Sequence, residues 1–158
     1  MQKENNNRWF LPETLSSGQL VKEISEKFSV HVQPQQKTTV TYFDTFDWRL
    51  YRKNYLLNNT NGIWKLYRRD SGEVVTAFSE RNPSPRRFAW EFPAGPMKTV
   101  LGSTLDVRGL LSLVTFETQS TGARIFNPDE KTVALINIKT QRVKDDSTTF
   151  RTVRLTGV

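Results

Sequence analysis

The stretch Thr41-Tyr42-Phe43-Asp44-Thr45-Phe46-Asp47-Trp48-Arg49-Leu50 decides how the rest of this chain is read. Its first residues continue a β-branched and aromatic run, Thr38 to Phe43, of the kind that packs on a pleated sheet. Asp44-Thr45 then makes a corner at which the strand leaves its sheet. Asp47 flanks the same corner, and Asp at such a turn caps nearby backbone N–H groups with its side chain. The basic and aromatic segment Tyr51-Arg52-Lys53-Asn54-Tyr55 follows and re-enters as another strand.

Outward from the corner, strand signals dominate. Asn61-Gly62 is a turn signal before Ile63 to Tyr67, and Asp70-Ser71-Gly72 turns the chain into Glu73 to Phe78, so Ile63 to Phe78 is a hairpin. Pro83-Ser84-Pro85 marks a loop. Arg87 to Phe92 alternates, with Phe88, Trp90 and Phe92 on one side and Arg87, Ala89 and Glu91 on the other, which predicts a strand with Trp90 in the core. Met97 to Leu113 is apolar enough for one or two short helices, broken near Gly102 and Gly109. Strands resume at Val114 to Thr118, Ala123 to Phe126, Thr132 to Val143 and Phe150 to Leu155, with turns at Asn127 to Glu130 and Asp145-Asp146. Upstream, Arg8 to Leu11 is a short strand stopped by Pro12. Leu15, Leu20, Ile24 and Phe28 fall at helical spacing behind Ser16 or Ser17 as N-cap, giving a helix over about Ser17 to Phe28. The class is α+β: a mainly antiparallel sheet curled into a barrel or tunnel, with a few short helices packed outside.

A length of 158 residues fits one domain over residues 8–158, behind a flexible leader at 1–7 that contains Asn5-Asn6-Asn7. Hydrophobic residues make up 36% and charged residues 25%, a polar balance that suits a solvated groove or interior. Lys and Arg number 23 against 16 Asp and Glu, a formal charge of +7 that favours anionic partners. The absence of cysteine excludes disulfides, thiol catalysis and zinc-thiolate sites. No apolar run approaches the roughly 20 residues of a membrane span, so no membrane is expected and the cytoplasm is the expected location.

The corner resembles the "YFDTxDxRL" corner of CYTH domains, the triphosphate tunnel enzymes. Gly62 to Leu66, Arg87 to Pro93, Val107 to Leu111 and Asp129 to Val133 look like successive landmarks of the CYTH-like domain found ahead of CHAD helical domains, so the resemblance runs from Tyr42 to the end. It implies a tunnel that holds phosphorylated anions, and a CHAD domain in cis or in trans as a partner. It further implies that Arg154 to Val158 approach a last hairpin, with C-terminal strands beyond it and an edge left unpaired. Active members of the family bind divalent metal, Mg or Mn, through an alternating E-x-E-x-K strand. Here the opening strand is Arg8-Trp9-Phe10-Leu11-Pro12-Glu13, with Glu13 as its only acid. Leu56 to Asn59 and Val75 to Phe78 lack the expected cations, and Lys139 stands where the resemblance implies an acid. The site is degenerate, and the expectation is a non-catalytic domain, without a cofactor, that binds polyphosphate or an organic triphosphate or docks a partner. A metal-dependent triphosphatase and an interaction module without anion ligand are the alternatives.

The candidate anion-binding residues are Arg49, Arg52, Lys53, Lys65, Arg87, Arg124, Lys139 and Arg154, with Arg offering the bidentate geometry that phosphate oxygens match. Strand parity decides whether the later ones share a face, since a slip of one residue reverses each of them. For metal the weak candidates are Glu13, Asp44 and Glu91. Asp44 and Asp47 are expected to cap the turn, and Glu91 to pair with Arg87. His31, the only histidine, is expected on a surface strand. Of the four tryptophans Trp48 is the one expected at the surface, where aromatics among basic residues can stack bases, yet nucleic acid is not the expected partner because no recognition motif is visible.

Overall fold

The computed structural model describes residues 7–79 and 86–158. The flexible leader expected at 1–7 lies outside the described residues except for Asn7, and so does the Pro83-Ser84-Pro85 loop. The elements are β1 (Asn7–Phe10), α1 (Ser17–Ser25), β2 (Ser29–Val32), β3 (Gln36–Asp44), α2 (Arg49–Arg52), β4 (Tyr55–Thr60), β5 (Ile63–Arg68), β6 (Val74–Ser79), a 3-10 turn at Ala89–Glu91, α3 (Pro96–Leu105), β7 (Leu111–Phe126), β8 (Thr132–Val143) and β9 (Thr149–Gly157). The class is α+β. The nine strands form an antiparallel sheet in the order β1-β9-β8-β7-β3-β4-β5-β6, with β2 added on β7. Among the described residues no hydrogen-bonded pairing of β1 with β6 closes this path.

The chain forms two compact units. The first combines residues 1–38 with 117–158; the second is the continuous segment 39–116. In the first, α1 begins at Ser16, whose hydroxyl accepts the Gln19 N–H while the Gln19 side chain accepts the Ser16 N–H, a reciprocal cap that satisfies two otherwise orphaned donors. Leu20, Val21 and Ile24 of this helix pack on Ala123, Ile125, Ile136 and Ile138, together with Val153 and Leu155. The helix stops at Ser25, short of the expected Phe28, which is exposed. Ile136 and Ile138 point to the helix-covered face, so Leu135, Asn137 and Lys139 point to the other.

In the second unit the core is Leu50, Leu57, Trp64, Leu66, Ala89, Phe92 and Leu110 with Met97, Leu101 and Leu105 of α3. The ring of Trp64 lies 4.8 Å from that of Phe43 and 5.2 Å, edge-on, from that of Phe92. The expected break at Gly102 does not occur. A single helical glycine costs about 1 kcal/mol, which burial of Met97, Leu101 and Leu105 on one face outweighs.

Three further expectations are corrected. Arg87 to Phe92 is not a strand. Ala89 and Phe92, three apart, are both buried, a spacing that the 3-10 turn brings onto one side, and Pro93 has no N–H to offer a ladder. Trp90 is therefore not core: it is 55% exposed and stacks face to face on Phe88 at 4.4 Å. The two strands expected at 114–118 and 123–126 are one strand, β7, whose polar middle is joined to β8 by the Ser120 hydroxyl donating to Asn137. Finally, β9 is no free edge. It pairs with β8 on one side and with β1 on the other, Asn7 facing Leu155 and Phe10 facing Thr152.

Candidate functional site

Strand register gathers cations on the uncovered face of the first unit. Arg8 on β1 faces Arg154 on β9, which in turn faces Asn137 on β8. Next along the strands, Lys139 faces Thr152. Directly paired residues of an antiparallel ladder share a face, so Arg8, Arg154, Asn137, Lys139 and Thr152 form a block opposite α1. Arg124 joins them from β7, where its neighbours Ala123 and Ile125 point into the core. These side chains surround a pocket of about 420 Å³, completed by Gln33, Gly122, Leu135 and Thr156. Gly122 matters for its shape: a Cβ at this position would run into the Gln33 side chain, so the glycine lets that amide lie across β7. Among the described residues no carboxylate lines the pocket.

Of the eight expected anion-binding residues, Arg124, Lys139 and Arg154 thus line one pocket. Sequence reading missed Arg8, Gln33 and Asn137. Arg8 is placed by pairing: Trp9, between Arg8 and Phe10, faces Val153 on the helix-covered side, which leaves Arg8 on the other. That β1 would pair with β9 had no local signal. His31 is exposed on β2, directly across from Arg124.

The remaining expected residues belong to the second unit. Arg49, Arg52 and Lys53 line a smaller depression of about 260 Å³ with Asp47 and Thr104. Arg49 is held in place: its Nε donates to Asp47 Oδ2 at 3.0 Å, and its Nη1 donates to the Leu105 carbonyl at 3.2 Å and lies 3.9 Å from Asp106. Lys65 is half-buried on β5, across from Asn58 on one side and Ala77 on the other. Arg87 is exposed beside the 3-10 turn. Its expected ion pair with Glu91 is replaced by a backbone interaction, in which Glu91 Oε2 accepts the N–H groups of Arg87 and Phe88.

The three acidic candidates are engaged elsewhere or stand apart. Asp44, only 4% exposed, accepts the N–H of Thr45 at 2.7 Å and of Leu50 at 2.9 Å on one oxygen, and of Tyr51 at 3.0 Å on the other. It caps α2, as its position at a turn predicted. Thr45 adds its Oγ1 as acceptor for the Arg49 N–H. Those two side chains satisfy the orphan donors of a helix too short to stand alone, which is why the segment after the corner coils before β4 begins. Glu91 is held below the usual carboxylate range by the Arg87 and Phe88 N–H groups. Asp47 is lowered by a hydrogen bond from Thr45, with Arg49 reinforcing it. Glu13 sits in the loop after β1, where its carbonyl accepts from Arg151 at 2.8 Å. Among the described residues no three His, Asp or Glu side chains come together as a metal site. No helix among them is long and apolar enough to cross a membrane.

No protein-family model matches the chain, and no curated protein is similar to it.

Proposed function

We propose that this chain is a non-catalytic polyanion-binding domain, and that the pocket of Arg8, Arg124, Lys139 and Arg154 takes a linear phosphate chain such as polyphosphate or the triphosphate of an organic molecule. The observation that carries the reading is the lining itself: four cations joined by the amides of Gln33 and Asn137 and the hydroxyls of Thr152 and Thr156, with no carboxylate among the described residues that line it. Guanidinium groups match pairs of phosphate oxygens, and the ammonium of Lys139 adds a point charge. Amides and hydroxyls can donate to the bridging and terminal oxygens that remain. A ligand so held needs no metal to neutralise it. The resemblance of the corner sequence to CYTH domains points the same way, and a cytoplasmic setting, where such anions are abundant, belongs to the same reading.

Isothermal titration with tripolyphosphate, with and without magnesium and at low and high salt, tests this while phosphate release is followed. The expected result is metal-independent binding that weakens as salt screens the charges, with no phosphate released. Release that requires magnesium would overturn the reading in favour of a triphosphatase. Absence of binding at low salt would overturn it in favour of a docking module.

A further inference from the structure

The outer side of α2 in the second unit carries three large aromatic side chains within six residues, each at least half exposed: Phe46 at 64%, Trp48 at 50% and Tyr51 at 51%. Burying such side chains is favourable, so their common exposure is costly to the isolated chain. The backbone enforces it. Trp48 has φ 58° in the left-handed region, a strained conformation for a bulky residue. Its N–H donates to the Thr45 carbonyl and its carbonyl accepts the Arg52 N–H, both at 3.0 Å. The corner thus fixes the indole outward.

Beside the edge-on pair Trp48 and Tyr51 lies an open apolar groove of about 490 Å³, lined also by Arg52. Arg52 also lines the polar depression that holds Lys53, so an apolar slot and a cationic one meet at a single side chain. Among the described residues neither Arg52 nor Lys53 is paired with a carboxylate, and Asp47 in the depression is engaged by Arg49. Two more guanidiniums stand over ring faces, Arg69 at 4.0 Å above Tyr51 and Arg108 at 5.1 Å above Phe46. Trp, Tyr and Arg are the residue types that dominate the energetics of protein interfaces.

We infer that this surface docks an acidic segment of a partner protein, one large apolar side chain entering the Trp48–Tyr51 groove while flanking carboxylates meet Arg52 and Lys53. Single-stranded nucleic acid fits less well. Stacking needs open ring faces, whereas guanidiniums cover one face each of Tyr51 and Phe46, and Trp48 meets Tyr51 edge-on at 6.2 Å. A bilayer would take the ring tips and the cations but has no use for the groove beside Trp48 and Tyr51. The site is separate from the phosphate pocket and does not depend on it.

Panning the chain against a phage-displayed library of random peptides of about twelve residues, the length of a groove-binding segment, tests the inference. Selected peptides are then measured by fluorescence anisotropy. They are expected to share one large apolar residue between acids, and to lose tenfold or more in affinity with Trp48→Ala and with the double variant Arg52→Glu, Lys53→Glu. Lys139→Glu should leave them unchanged. Because Arg52 and Lys53 are exposed, the double variant answers even if Trp48→Ala unfolds. Failure to enrich such a consensus would overturn the proposal, as would binding that survives both variants. So would Trp48-dependent binding of oligo-dT or phosphatidylglycerol vesicles tighter than that of every selected peptide.

Discussion

The corner after β3 and the floor of the β7–β8–β9 pocket are both dense in charge, and they use it in opposite ways. At the corner the acids and one arginine turn inward to the chain itself: Asp44 takes three backbone N–H groups, and Arg49 is shared between Asp47 and the end of α3. Among the described residues the charge on the pocket floor has one sign, and it lines a cavity. The difference teaches that a charged motif is not by itself a site. What separates the two regions is how charge is brought together: local turns set acids beside backbone donors and Arg49 at the corner, whereas strand register gathers Arg8, Arg124, Lys139 and Arg154 around the pocket.

The largest effect expected from breaking this contrast is at Asp44. Asp44→Ala leaves three N–H groups without their acceptor at a buried position, which should cost about 3 kcal/mol or more, at roughly 1.5–3 kcal/mol per hydrogen bond to a charged group with incomplete additivity. Urea unfolding measures it, and a cost near zero would mean that the corner does not hold the fold. Next comes the pocket. Reversing charge with Arg124→Glu and Lys139→Glu together should weaken tripolyphosphate binding by about tenfold or more, some 1.4 kcal/mol, with little change in stability because both side chains are exposed. If the double variant binds as the parent does, the two regions do not differ in the way described. A finer probe is Gly122→Ala. The added methyl displaces only the flexible end of Gln33, so the expected result is a change of a few-fold in affinity with nearly unchanged urea unfolding; equal affinity would remove Gln33 from the site.

The smallest effect is acid dependence at the 3-10 turn. Hydrogen bonds from the Arg87 and Phe88 N–H groups, and then nearby arginine charge, hold Glu91 below its ordinary 4.5. A lowered folded value means that the carboxylate contributes stability above 4.5, and that this is lost as pH falls through the folded value. Glu91→Gln should therefore unfold slightly earlier than the parent at neutral pH, with the gap closing below pH 4.5. A gap that persists unchanged in acid would show that the carboxylate's charge is not what caps the turn.

Much of this is legible in the sequence. The expected strand Thr132 to Val143 has the observed bounds, and the alternation of Ile136 and Ile138 with Asn137 and Lys139 is a period of two that needs no partner to be seen. Asp44 as a turn cap was legible for the same reason, since its three acceptor contacts lie within seven residues. Phe88-Ala89-Trp90-Glu91-Phe92 misled by the same rule. Alternation there was real in composition, but a following proline and the burial of Ala89 and Phe92 on one side chose a tighter turn. The candidate pocket was half legible. Arg124, Lys139 and Arg154 could be named from their strands, but their shared face depends on parity, and Arg8 enters only through pairing with the far end of the chain.

That pairing also orders events at the ribosome. Within residues 39–116 every strand has a hydrogen-bonded neighbour from the same segment, so pairing there can begin before β8 and β9 have been synthesised. The first unit is assembled from the two flanks, and β1 must wait for β9, made well over a hundred residues later, as the register of Asn7 with Leu155 requires. The loop closed in that step is long, and non-local strand pairing is slow for that reason. Vectorial synthesis therefore favours the segment with the capped corner first and leaves the cationic pocket to be completed last.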